Sequence, residues 1–149
     1  FYYNTVSDNT SDYLFKLNND SQQSLSINQS IIAGQSGVLL MPVSMNHTVG
    51  VDCAIVNENA SLNSLGDLTT VVVGNPNFLD PQSLNYQLAS HSPAIDYCDE
   101  SLVQSLYQDI EGNQRGIEDP NVDNYLGVYD LGAFEYQSND HIFKSSFEM

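Results

Sequence analysis

Arg115 is the one arginine of a 149-residue chain that carries three basic and nineteen acidic side chains. It stands in Asp109-Ile110-Glu111-Gly112-Asn113-Gln114-Arg115, close behind two acids. A planar guanidinium can grip a carboxylate through two parallel hydrogen bonds and still reach carbonyls with its other donors. Asp96, Asp130 and Glu135 are the candidate acceptors. The expectation is a partly buried ion pair that locks the C-terminal part of the chain. Ligand binding or catalysis is the other use of such a group.

Paired carboxylates can work as acid and base on a sugar bond when they lie about 5–9.5 Å apart. With nineteen acids in the chain, some pair meets that distance by chance, so no catalytic pair is assigned. Asp119-Pro120-Asn121-Val122-Asp123-Asn124 offers oxygen ligands of the kind Ca2+ prefers, but without the spacing of a dedicated calcium loop. It reads as a solvated turn, and no cofactor is expected. His47, His91 and His141 are scattered, which is wrong for zinc, and Ser92 before Pro93 reads as a turn residue rather than a nucleophile. Cys53 and Cys98 are too few for a zinc site. They permit one disulfide, which would contribute roughly 2–4 kcal/mol; two buried thiols are the alternative.

The balance of charge sets limits on partners. At a net charge of −16 the chain lacks the Lys and Arg contacts that nucleic-acid phosphates require. Anionic lipid is disfavoured in the same way. The longest apolar run, Val38-Leu39-Leu40-Met41, ends at Pro42, far short of the roughly 20 residues of a membrane span. Phe1-Tyr2-Tyr3-Asn4-Thr5-Val6 already reads as strand, so the expectation is a piece of a longer polypeptide.

The elements that would position these groups are short strands. Residues that compete with helical backbone bonds (Asn, Ser, Asp) are frequent in the first half, and long 3.6-residue periodicity is missing. Thr5-Val6-Ser7, Ser30-Ile31-Ile32 and Ala54-Ile55-Val56 align, placing Val6, Ile31 and Ile55 at one height of a repeat of about 25 residues. Such a period fits a solenoid coil of parallel strands with inward aliphatic columns and with Asn or Gly at left-handed corners. Asn9, Gly34 and Asn57 to Asn59 are the corner candidates. Tyr13 to Leu17, Leu25-Ser26-Ile27 and Val71-Val72-Val73 supply further strands, the last as a buried one. Val38 to His47 reads as an excursion.

From Asn75 onward Pro, Gly and Asp become the punctuation. Asn75-Pro76-Asn77-Phe78-Leu79-Asp80-Pro81, Ser92-Pro93-Ala94-Ile95-Asp96, Asp109-x-x-Gly112-x-x-Arg115 and Asp130-Leu131-Gly132-Ala133-Phe134-Glu135 follow in order. That series resembles the closing segment of secreted right-handed parallel β-helix proteins of the choice-of-anchor and polymorphic outer-membrane-protein kind. The resemblance implies an all-β fold: final coils over residues 1–74, an irregular C-terminal cap over 75–136, and a polar linker with a short tail over 137–149. A cap must cover the open end of the last coil, and Phe78, Leu79, Leu84, Tyr86, Leu88, Ile95, Leu131 and Phe134 are its expected covering layer.

The resemblance also implies function. The first expectation is a non-catalytic segment of an exported, surface-associated and adhesin-like protein of a Gram-negative bacterium, secreted or held at the cell surface. Its partners would be a polysaccharide or cell-surface glycan and upstream coils of the same polypeptide, without nucleic acid or membrane insertion. The second is the tail of a polysaccharide lyase or glycoside hydrolase whose active site lies on upstream coils.

Overall fold

The computed structural model describes residues 2–8, 13–15, 22–34, 38–40, 48–56, 69–99 and 107–138. The chain divides into two compact units, Phe1–Asn75 and Pro76–Met149. No α-helix occurs among the described residues.

The first unit is built on parallel strands. β1 (Thr5–Val6), β3 (Ser24–Ile32), β5 (Thr48–Val56) and β6 (Val71–Val73) form a four-stranded sheet in the order β1-β3-β5-β6. β2 (Tyr13–Phe15) and β4 (Val38–Leu40) form a second, two-stranded parallel sheet. Thr5 pairs with Ile31 and Ile31 with Ile55, so the main chain returns to the same sheet after 26 and then 24 residues. Tyr13 pairs with Val38, a return of 25 in the other sheet. The expected excursion at Val38 is therefore a paired strand for its first three residues; residues 41–47 lie outside those described.

Alternation along β3 and β5 decides which side chains are covered. Leu25 and Ile27 lie beside Val49 and Val51, and they join Ile32, Val56, Ala54, Val71 and Phe15 in one apolar cluster. Ile31 does stack on Ile55, as the repeat predicts. Both are fully buried, but they neighbour Ile32 and Val56 and so project from the opposite side of the sheet. Val6 pairs with Ile32 rather than with Ile31. The expected column is off by one residue there, and a one-residue slip changes the face. A segment covered on both sides reads as a continuous apolar run, as Ala54-Ile55-Val56 does. Val71-Val72-Val73 is less buried than expected, with Val73 half exposed.

β3 and β5 are each bent in the middle. Gln29 (φ 44°) and Cys53 (φ 47°) are left-handed and wholly buried, and Tyr3 (φ 50°) holds the same place in the first turn of chain. The residues before them, Tyr2, Asn28 and Asp52, pair in succession, so the three bends form a column. A second column contains Asp8 (φ 56°) and Gly34 (φ 63°), where Asp8 N–H reaches Ala33 O (3.3 Å). A Cβ on Gly34 would lie 2.4 Å from Asp8 Oδ1, so this corner requires glycine. Asn9 and Asn57 to Asn59, the other expected corners, lie outside the described residues.

The second unit is mostly irregular. β7 (Phe78–Asp80) and β8 (Asn85–Leu88) make an antiparallel hairpin around a single 3-10 turn, Pro81–Ser83. Asp80 caps that turn by accepting the Ser83 N–H (3.3 Å), and Pro81 begins it. Phe78 and Tyr86 meet edge to face at 5.3 Å. Of the expected covering layer, Leu88, Ile95 and Leu131 are buried, and Phe78, Tyr86 and Phe134 are half-buried. Leu79 and Leu84 are exposed at 59% and 75%. Leu84 is the left-handed residue that ends the 3-10 turn, which explains its departure.

Candidate functional site

Buried acids organise the second unit. Asp96, Asp109, Asp119, Asp130 and Glu135 are all at least nine-tenths covered. Four hydrogen bonds tie them into a relay in which each acid's own backbone N–H donates to the carboxylate of the next. Asp119 N–H donates to Asp96 Oδ2 (2.8 Å), and Asp96 N–H to Asp130 Oδ1 (2.8 Å). Asp130 N–H donates to Glu135 Oε2 (3.3 Å), and Glu135 N–H to Asp109 Oδ2 (3.1 Å). The reason lies in the sparse secondary structure. With one hairpin and the isolated bridges Cys98–Tyr129 and Gln108–Gln114 among the described residues of this unit, buried amides have few ladder carbonyls to use. Side-chain carboxylates accept them instead.

Arg115 enters this relay at Glu135. Its Nη1 lies 3.4 Å from Glu135 Oε2, and its Nη2 donates to Gly132 O (2.8 Å). Glu135 Oε1 also accepts the N–H groups of Gly116 (2.6 Å) and Ile117 (3.1 Å). Of the three acceptors expected for the guanidinium, Glu135 takes the ion pair. Asp130 binds backbone amides, its Oδ2 accepting Tyr136 N–H (2.5 Å), while Asp96 joins through Asp130 and Asp119. Asp109 closes its own loop by accepting Glu111 N–H (2.9 Å), Asn113 N–H (2.8 Å) and Asn113 Nδ2 (3.0 Å).

These surroundings divide the acids electrostatically. Burial, and then the neighbouring Glu135 charge, push the Asp130 carboxyl well above its ordinary range. Burial also raises Glu135 to about 7, against the opposing pull of the Ile117 N–H and the Arg115 guanidinium. Asp109 moves the other way. Burial would raise it, but the N–H of Glu135 and the donors of Asn113 and Glu111 outweigh that and hold it low. Burial and the nearby Tyr125 push the Tyr97 phenol up to about 12; the two rings stack at 4.8 Å.

Other expected site residues have structural surroundings. Ser92 is buried, donates to Pro76 O (2.5 Å) and accepts Ala94 N–H (3.1 Å), as a turn residue does. Asp119 is buried rather than solvated, and it accepts both the N–H and the side-chain amide of Asn121 (3.0 Å each). Its role was hidden because an Asp-Pro-Asn run has the composition of a surface turn. No group of three or more His, Cys, Asp or Glu positioned for a metal occurs among the described residues. Neither cysteine is free: Cys53 and Cys98 are both disulfide-bonded and fully buried.

Among the described residues, two surfaces are candidates for holding a ligand. On the first unit, Ser24, Ser26 and Asn28 stand beside Thr48, Gly50 and Asp52 on the side of β3 and β5 away from the Ile27–Val51 pair. They form a mainly polar patch, with steps of about 4.8 Å between strands and about 7 Å along them. Asn28 Nδ2 donates to Ser26 Oγ (3.1 Å), and the Thr70 hydroxyl donates to Asp52. On the second unit, a cleft of about 420 Å³ lies among the β7–β8 hairpin, the Glu111–Asn113 turn and the 134–137 segment. Comparison of the chain with family models, curated proteins and solved structures returned no match.

Proposed function

We propose that this chain forms the last coils and the cap of an exported, surface-associated right-handed parallel β-helix protein, and that it contacts glycans without transforming them. The observation that carries the reading is the shared return of 24 to 26 residues in two separate parallel sheets. One winding chain produces both sheets if each turn contributes a strand to each. The columns of left-handed residues support the same reading, because a corner repeated at one height is what keeps successive turns in register. Residues from Pro76 onward serve as the cap in this scheme, their order of motifs being similar to that of choice-of-anchor and polymorphic outer-membrane-type proteins.

Oxidised cysteines support export, since disulfides persist outside the reducing cytosol. The proposed pairing is Cys53 with Cys98, which peptide mapping under non-reducing conditions would detect as a single linked pair. The polar patch on β3 and β5 supplies the contact surface. Its hydroxyl and amide groups suit sugar hydroxyls, and it carries no Lys or Arg to hold an anionic polymer.

The test is retention of the chain on a panel of immobilised polysaccharides, alongside a Ser26→Glu/Asn28→Glu variant. Retention on at least one neutral polymer, lost in the variant, is the expected result. Release of unsaturated or shortened sugars by the chain itself would sink the non-catalytic reading. Absence of retention on every polymer would sink the glycan reading.

A further inference from the structure

The cleft of the second unit is chemically one-sided. Glu111 Oε1 and Oε2 both accept from Gln87 Nε2 at 2.9 Å, a neutral partner that leaves the carboxylate's charge uncompensated. Asn113 turns its amide nitrogen to Asp109, which leaves its side-chain oxygen without a partner among the described residues. The same holds for the side-chain oxygen of Gln87 once its nitrogen is engaged. Phe134 and Tyr136 supply aromatic wall, and no Lys, Arg or His among the described residues lines the space. Arg115, the one described side chain with a fixed positive charge, is committed to Glu135 and Gly132.

A ligand suited to this lining brings donors, a positive charge and an apolar face. It must also fit about 420 Å³, which lies within the usual range of small-molecule sites. We infer that the cleft binds an amino-sugar unit, with the ring's ammonium on Glu111, hydroxyls on the Gln87 and Asn113 oxygens, and C–H groups against the aromatic wall. A lysine-like chain would satisfy Glu111 and leave the other acceptors unmatched. An uncharged sugar would leave the carboxylate uncompensated, and a uronic acid would be repelled by it. The inference rests on the glycan-contacting reading for its class of ligand, but it uses a different surface.

Glu111→Gln is the informative variant. The Glu111 side chain is exposed, and its role in the relay runs through its backbone N–H, which the substitution keeps. Calorimetric titration of the whole chain with a glucosamine tetramer, its N-acetylated form, a glucose tetramer and tetralysine separates the cases. The glucosamine tetramer is expected to bind, and Glu111→Gln to weaken it by about tenfold or more, as for a lost hydrogen bond to a charged group. The Ser26→Glu/Asn28→Glu variant should leave that titration unchanged. No binding of the glucosamine tetramer, or binding indifferent to Glu111→Gln, overturns the inference while polymer retention through the β3–β5 patch still stands. Equal binding of the N-acetylated or glucose tetramer overturns the requirement for charge. Tetralysine binding as tightly, with the same dependence on Glu111, overturns the sugar assignment.

Discussion

Glu135 gathers four donors on two oxygens: the Gly116 and Ile117 amides on one, Arg115 Nη1 and the Asp130 amide on the other. Removing Arg115 strips it of this cationic partner and leaves a carboxylate buried among acids. At about pH 8, where Glu135 is ionised, Arg115→Ala is therefore expected to lower stability by roughly 3–5 kcal/mol, read from urea or thermal unfolding. Arg115→Lys should recover only part of the loss, because one ammonium cannot reach both Glu135 and the Gly132 carbonyl in the geometry of the fork. Protonation works in the same place. Glu135 is held at about 7 against an ordinary 4.5, so between those values the folded chain keeps a proton that the unfolded chain has released. Stability then falls as pH rises through that window, by on the order of 3 kcal/mol for Glu135 alone. Asp130 is displaced in the same direction. Asp109 is displaced oppositely, and its contribution disappears as pH falls below the ordinary carboxylate range. Unfolding temperatures measured across pH should peak near about pH 4–5 and decline toward pH 8. A maximum at pH 7 or above would contradict the buried Asp130–Glu135 arrangement.

At the scale of elements, the corners of the parallel sheet are where sequence and backbone part company. Gly34→Ala must place a methyl against the Asp8 side chain and backbone in a left-handed conformation, whereas a Cβ at Gly50, on the open patch of β5, meets nothing within 4 Å. The first substitution should cost more than the roughly 1–2 kcal/mol of the conformation alone. Gly50→Ser should stay within about 1 kcal/mol of the parent. Comparable losses from both would place the corner elsewhere. Gly34 was readable because its residue type matches its backbone. Tyr3, Gln29 and Cys53 were not, since nothing in those side chains announces a positive φ; only the returning register of their neighbours does. The slip at Val6 has a related cause. Thr5-Val6 and Ile31-Ile32 are all β-branched, so the apolar pattern cannot say which residue of one pair meets which of the other. In the second unit the members Asp96, Asp109, Arg115, Asp130 and Glu135 stood in recognisable motifs. The relay itself was illegible, because it runs through backbone amides that every residue possesses. The cleft was equally hidden, being assembled from residues as far apart as Leu79 and Gln137.

Across the whole molecule, charge is the dominant long-range term. A net charge of −16 with three basic residues leaves most acids without a partner of opposite sign, and compaction brings them together. That self-repulsion works against the folded state and is screened by salt, over about 10 Å at 0.1 M and about 3 Å at 1 M. Arg115–Glu135 is buried, with side-chain exposures of 2% and 0%, so added salt weakens it far less than it weakens repulsion between surface carboxylates. The two effects therefore do not cancel. Raising sodium chloride from about 0.02 M to about 0.5 M at pH 7.5 is expected to raise the unfolding temperature. Repeating the titration at pH 4.5 should shrink the gain, because many surface acids are then neutral and there is less repulsion to screen. The comparison separates charge screening from a general salting-out of apolar surface, which would stabilise equally at both pH values. An unfolding temperature that falls with salt at pH 7.5 would mean that attractive surface pairs outweigh the repulsion, and three basic residues cannot supply enough of them.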